Sequence, residues 1–263
     1  MADTPRPSRR TPRSTRRPPS ASMNGASPVE QLVANKELFV MFQPVVDLRN
    51  GKVFAYEALV RSTSPSFPSP ATILASALEH RVCGKLGRAI RELASSGCPD
   101  ATLFLNIHPS ELDEGWLVRP DDPMFSHEHP VYLEITESVP LTHFRFCHGV
   151  LSEVRSRGIC LAVDDLGAGY SNLKYIADLV PEVVKLDREL VAGVKHNSRL
   201  HRLLGSLVRL CTDMGARVVV EGIETKEEMR IAQDVGAQFG QGYFIARPAF
   251  PRPTFDWRAI NGH

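Results

Sequence analysis

Two runs early in the chain, 38–48 and 52–62, are dense in β-branched, aromatic and aliphatic residues and are separated by Arg49-Asn50-Gly51. Asn-Gly between two such runs is a strong hairpin signal, so they predict a pair of antiparallel strands. Beyond them the pattern alternates between two periods. Short apolar runs predict strands at 102–107, 131–136, 160–165, 183–187, 217–222 and 239–245. Between them, apolar residues recur at helical spacing near 70–95, 142–157, 171–178, 197–214 and 225–235. Strands alternating with helices imply parallel pairing, and eight strands over ~230 residues favour closure. The expected fold is α/β, a TIM-like (β/α)8 barrel with an antiparallel first strand. An open doubly wound sheet is the alternative, but no strand is followed by the GxGxxG fingerprint of a dinucleotide fold.

Polar residues interrupt the strands at one recurrent place, toward their ends: Glu57 and Arg61, Asn106, Glu134, Asp164 and Asp165, Lys185 and Asp187, and Glu221. In a barrel the C-terminal ends of parallel strands converge on one face. Within 131–136, Glu134 shares a face with Tyr132 and Thr136 while Leu133 and Ile135 take the other, so Glu134 is expected to point inward. Carboxylates cannot crowd a small desolvated space while ionised unless cations bind among them. Taken singly, each residue has a plainer explanation as a helix cap or a surface group; recurrence over six strands outweighs it. The set Glu57, Asn106, Glu134, Asp164, Asp165 and Glu221 contains no Cys or His. Magnesium or manganese therefore ranks above zinc, iron or copper. So rich a set suits two ions ~3.5–4 Å apart, an arrangement fitted to phosphoryl displacement.

Composition narrows the class further. Apolar residues make up 43% and charged residues 23%, as in an ordinary globular protein, and no run approaches the ~20 apolar residues of a membrane span. The five cysteines are scattered with no CxxC pair, which argues against a disulfide framework or zinc knuckle and fits a reducing cytoplasm. Among the nine histidines, the "SHEHP" run at 126–130 lacks metalloprotease spacing and reads as a polar loop. The net charge of +1 conceals a basic start, in which six arginines face only Asp3 and Glu30 among six prolines and five serines. Residues 1–30 are accordingly expected to be a disordered tail without the apolar stretch of a secretory signal, and Met23 is an alternative start. The barrel would occupy 31–255, followed by a short tail at 256–263. Nucleic-acid binding is not expected beyond weak electrostatics of the basic tail.

The runs "FQPVVDL" (42–48), "YEALVR" (56–61), "LNIHP" (105–109), "EITES" (134–138), "DDLGAGYSNL" (164–173), "VKLD" (184–187), "VEGIET" (220–225) and "GQGYFIARP" (240–248) fall in this order along the chain. With them the sequence resembles the EAL-domain phosphodiesterases, bacterial hydrolases of the second messenger cyclic di-GMP. The resemblance implies hydrolysis to linear pGpG in a homodimer that uses Mg2+ or Mn2+; Ca2+, equally suited to oxygen ligands, is expected to bind without supporting the chemistry. It also implies roles. Glu57, Asn106, Glu134 and Asp164 would hold one ion, and Asp164 and Asp165 a second, with Glu221 on that ion or its water. Lys185 would position the attacking water, supported by Asp187. Arg61 would hold a substrate phosphate, with Gln43 and Gln241 near the substrate and Glu224 beside or behind it. Glu137 would brace the loop from Gly167 to Ser171. The departures from the usual pattern are Leu166, Ala168, His108 and Val220; they touch regulation more than chemistry. A non-hydrolytic module that binds the nucleotide or docks a partner is the alternative, disfavoured because no ligand position is replaced.

Overall fold

The computed structural model describes residues 25–136, 141–167 and 173–261, and of 141–146, 175 and 261 the backbone alone. The Asn50-Gly51 turn reverses the chain between β1 (Leu38–Asp47) and β2 (Val53–Ser62). Gly51 takes a φ of +71°, which side-chain-bearing residues rarely adopt. The Asp47 carboxylate accepts from the Arg49 and Asn50 amides inside the turn. A short helix, α1 (Pro28–Ala34), precedes this hairpin. After it come α2 (Pro70–Glu79), α3 (Cys83–Gly97), β3 (Leu103–Asn106), α4 (Pro109–Asp113), β4 (Val131–Thr136), α5 (Leu141–Ser156), β5 (Cys160–Leu166) and α6 (Lys174–Leu179). The chain finishes with β6 (Val183–Leu186), α7 (Arg199–Asp213), β7 (Arg217–Val220), α8 (Lys226–Asp234), β8 (Phe239–Gly240) and α9 (Trp257–Asn261). The strands close in sequence order; β1 is antiparallel to β2 and β8, and all other neighbours are parallel. This is the expected TIM-like barrel with an inverted first strand.

Strand alternation sorts side chains into two cores. Outward residues such as Leu103, Leu133, Leu161, Val184 and Val218 pack under the helices in the main core. Inward, each strand gives one residue to a separate buried layer: Val45, Ala55, Phe104, Tyr132, Ala162, Val183, Val219 and Phe239. Aromatic rings fill its centre, with Phe104 and Tyr132 stacked at 4.8 Å and Phe54 on Phe239 at 4.1 Å. The Arg217 guanidinium lies 4.6 Å from the Phe54 ring and closes the far end. The barrel is plugged there, so its chemistry belongs at the opposite mouth.

Three expectations change. The last strand stops at Gly240 instead of running to 245: beyond it Gly242 lies so close to the Ile223 backbone that a Cβ would collide, and the chain coils, Ala246 N bonding Gly242 O. Helix α1 takes in 28–30, which composition assigned to the tail. Ser27 caps it in a reciprocal box with Glu30, and Val29 and Leu32 are buried with Leu38, Phe67, Ile73 and Leu86. Helix α9 likewise lies within the span expected to be a C-terminal tail, and Trp257 packs on the main core beside Gly51. Deleting 1–30 therefore removes a buried valine and a helix cap and should cost roughly 2–4 kcal/mol. Deleting only 1–24 should leave the melting temperature within about a degree of the full chain. Equal melting of the two truncations would show that α1 contributes nothing.

Candidate active site

Two residues closer to the mouth than the buried layer, each strand or its immediate end presents a polar side chain: Gln43, Glu57, Asn106, Glu134, Asp164, Lys185, Glu221 and Gln241. The period-two geometry of strands produces this ring. Its hub is Lys185, 1% exposed, whose Nζ lies 2.6 Å from Glu134 Oε1, 2.7 Å from Glu221 Oε1, 3.3 Å from Asp164 Oδ1 and 3.4 Å from Glu57 Oε2. Burial alone would favour loss of the ammonium proton; the surrounding carboxylates outweigh it and hold the lysine well above its usual pKa. The four carboxylates thus favour Lys185 as a cation and donor.

Asp165 is placed by a break in the rule. Consecutive strand residues point to opposite faces, yet the β5–β6 register shifts between Val163 and Leu166, and Asp165 adopts a φ of +57°. The bulge leaves carboxylate oxygens of Asp164, Asp165 and Glu221 within 4.8 Å of one another. Partial burial, then the charges of Asp164 and Asp187, push Asp165 up to about 6. Burial, reinforced by neighbouring carboxylates, likewise raises Glu134 and Glu221 well above the carboxylate range. Glu57 moves the other way: burial opposes it, but Lys185 and the amides of Gln241 and Asn106 hold it ionised.

With all five carboxylates ionised against one ammonium, the ring would carry a large excess of negative charge; burial and this crowding together raise Glu134, Asp165 and Glu221 when no cation is bound. Glu134 is fully buried, and its Oε2 has no hydrogen-bond partner among the described residues. An orphaned buried carboxylate oxygen is costly. With the oxygen-only donor set, it fits one or more hard divalent cations.

The other expected residues divide. Gln241 Nε2 donates to Glu57 Oε2 at 2.6 Å and lies 3.2 Å from Gln43 Oε1, while Gln43 Nε2 donates to Ala246 O. Both glutamines are buried, so they hold Glu57 in place from behind. Arg61 half-emerges at a cleft of about 770 Å3 that it shares with Glu57, Asn106, Leu74 and Ile90. Its guanidinium bonds Val60 O and meets no carboxylate among the described residues. Asp187 does not support Lys185. The strand ends at Leu186, and the Asp187 carboxylate turns away to accept from Glu189 N, capping a 3-10 turn at Arg188–Leu190. Glu224 sits at the surface, paired with Arg188 at 2.5 Å. Glu137 lies outside the described residues.

Sequence reading missed Arg91. From α3, 1% exposed, it donates to Glu111 Oε2 at 2.7 Å and to both Asp122 oxygens at 2.9–3.0 Å. It fastens the cleft-lining Glu111 and the long β3–β4 connection to α3. Only its place between apolar helix positions hinted at burial.

Fold and site together define a β/α barrel with an acidic mouth suited to hard divalent ions and an adjoining cleft. The chain belongs to the EAL domain family, whose model matches residues 27–248. It is 31% identical to the cyclic di-GMP phosphodiesterase PA2567 of Pseudomonas aeruginosa, over 87% of this chain and 41% of that protein. It is also 31% identical to the cyclic di-GMP phosphodiesterase RocR of the same organism, over 87% of this chain and 62% of RocR. The chain therefore spans less than two thirds of these curated relatives. Among solved structures it resembles a manganese and cyclic di-GMP complex of Klebsiella pneumoniae BlrP1, at 32% identity and a TM-score of 0.71, over 81% of this chain and 56% of that one. A calcium and cyclic di-GMP complex of the same protein matches at 30% identity and a TM-score of 0.70, over 82% of this chain and 56% of that one.

Proposed function

We propose that this chain hydrolyses cyclic di-GMP to linear pGpG with the help of divalent cations, Mg2+ or Mn2+. The observation that carries the reading is the buried carboxylate ring with its orphaned Glu134 oxygen, set beside a cleft bearing Arg61, which meets no carboxylate among the described residues. Glu57, Asn106, Glu134 and Asp164 would hold one ion; Asp164 and Asp165, with Glu221, would hold the second. Such ions supply positive charge that activates a nucleophilic water and neutralises charge developing on the phosphoryl oxygens.

The residues of the chain do the rest. Arg61 offers a planar fork to a phosphate of the substrate, and the cleft volume of about 770 Å3 is in the range of small-ligand sites. Lys185 would orient the attacking water by donation, and its charge would oppose the negative charge that builds at phosphorus. The water oxygen would form a bond to phosphorus as the bond to the 3′ oxygen breaks, and the proton lost by the water would pass by way of one of the Asp164, Asp165 and Glu221 carboxylates to the departing 3′ oxygen, which leaves as a hydroxyl. The reading extends to a cytoplasmic homodimer. The dimer rests on family resemblance, and the cytoplasm on five free cysteines.

The test is incubation of the purified chain with cyclic di-GMP. Turnover should vanish with a chelator and return with Mg2+ or Mn2+, giving linear pGpG. Full turnover after exhaustive chelation would overturn the metal requirement, and tight binding without product would make the chain a nucleotide-binding module instead.

A further inference from the structure

Away from the mouth, a second cluster of side chains has different chemistry. His196, in the connection before α7, His201 in the first turns of α7 and Asp234 at the end of α8 bring one ligand atom each within 4.8 Å of one another. His196 Nδ1 is 3.1 Å from Asp234 Oδ2, and His201 Nε2 is 3.5 Å from the same oxygen. Ligand atoms ~2.0–2.1 Å from a tetrahedral ion stand roughly 3.3 Å apart. The two observed spacings bracket that edge length.

Two further features favour a cation over a simple ion pair. The other nitrogen of His196, Nε2, faces Glu227 Oε1 at 3.2 Å. A carboxylate at that distance would accept the ring N–H and leave Nδ1 as the free nitrogen on the Asp234 side, as in carboxylate–histidine–metal arrangements. The His201 Nε2 atom is shielded from solvent and makes no hydrogen bond among the described residues, although it lies 3.5 Å from the same oxygen. A cation between the three atoms would satisfy both nitrogens and the carboxylate.

We infer that His196, His201 and Asp234 form a binding site for a borderline transition-metal ion, of which Zn2+ is the reference, with Glu227 as the carboxylate that orients His196. Two imidazoles and a carboxylate suit Zn2+ or Co2+ and are poor partners for Mg2+. Side-chain exposures of 42% for His196 and 55% for Asp234 leave the fourth position to water, so the ion is exchangeable. Binding would clasp the connection before α7 to α8. This site is independent of the hydrolytic reading.

The test uses the full chain in excess Mg2+, which keeps the mouth filled, titrated with Zn2+ and separately with Co2+. The wild type should bind Zn2+, and the double variant His196→Gln, His201→Gln should lose at least ~100-fold in affinity, because two ligands are gone. Glu227→Gln, an exposed change that keeps every ligand, should lose ~10–100-fold. The visible absorption of four-coordinate Co2+ should disappear in the double variant and persist in Glu134→Gln, whose change lies in the mouth. Circular dichroism would verify folding of each variant. Equal Zn2+ affinity in the wild type and the double variant, no Zn2+ binding by the wild type, or a Co2+ spectrum that follows Glu134→Gln would each overturn the inference.

Discussion

Glu134→Gln should abolish turnover while raising the thermal stability of the metal-free protein. The substitution keeps the shape of a fully buried side chain and removes its charge. Outer partners of a metal site cost ~10–100-fold when changed, so removing a charged ligand is expected to cost more than 100-fold in turnover at ordinary Mg2+. The stability effect has the opposite sign. Burial and the charges of Glu57 and Asp164 raise the Glu134 pKa, against the pull of Lys185. An acid whose folded pKa is raised stabilises the fold below its unfolded pKa and loses that contribution as pH climbs through the raised value. At neutral pH, above the unfolded value, the metal-free wild type carries a penalty for folding this group that the amide does not. The gain in melting temperature should shrink toward zero below about pH 4, where the unfolded carboxyl is also protonated. Near-normal turnover, or a lower melting temperature for the metal-free variant at pH 7, would refute the assignment.

Arg91→Met should be strongly destabilising, at about 3–5 kcal/mol. Methionine fills similar volume, so packing is largely retained, but Glu111 and Asp122 are left buried without their shared cation. The triple change Arg91→Met, Glu111→Gln, Asp122→Asn should recover a large part of the loss, because no uncompensated charge remains. Denaturant unfolding measures both. If Arg91→Met cost under about 1 kcal/mol, the triad would be an ornament of the surface type, which its burial contradicts.

Much of this architecture was legible because strands announce themselves by alternation. The Asn50-Gly51 turn gave the inverted first strand, and the Tyr132, Glu134, Thr136 face gave the inward carboxylate. The same rule would have sent Asp165 to the helix face; only the bulge explains why both aspartates reach the mouth, and a bulge leaves no mark in hydrophobic periodicity. Asp187, which the resemblance set beside Lys185, is placed differently for a related reason. Its i, i+2 spacing from Lys185 implies a shared face only while the strand continues, and β6 ends one residue earlier. Helix α1 was readable after all, since Ser27 and Glu30 have capping-box spacing with Pro28 at the first helical position, but the surrounding prolines and arginines obscured it. The partners of Arg91 come from 20 and 31 residues away, a pairing that only the folded connection between β3 and β4 creates.

The inverted strand also decides how this barrel can be wired to other protein. In an all-parallel barrel the chain enters at the plugged end, and an upstream segment is separated from the mouth by the full height of the sheet. Here Leu38 pairs with Ser62, so β1 begins at the rim, and α1 packs there with Phe67, Ile73 and Leu86. The same small core carries α2 and the start of α3, whose Leu74, Cys83 and Gly87 form a wall of the cleft. A push or pull on the polypeptide ahead of Ser27 therefore arrives one helix away from the substrate wall, with no sheet to cross.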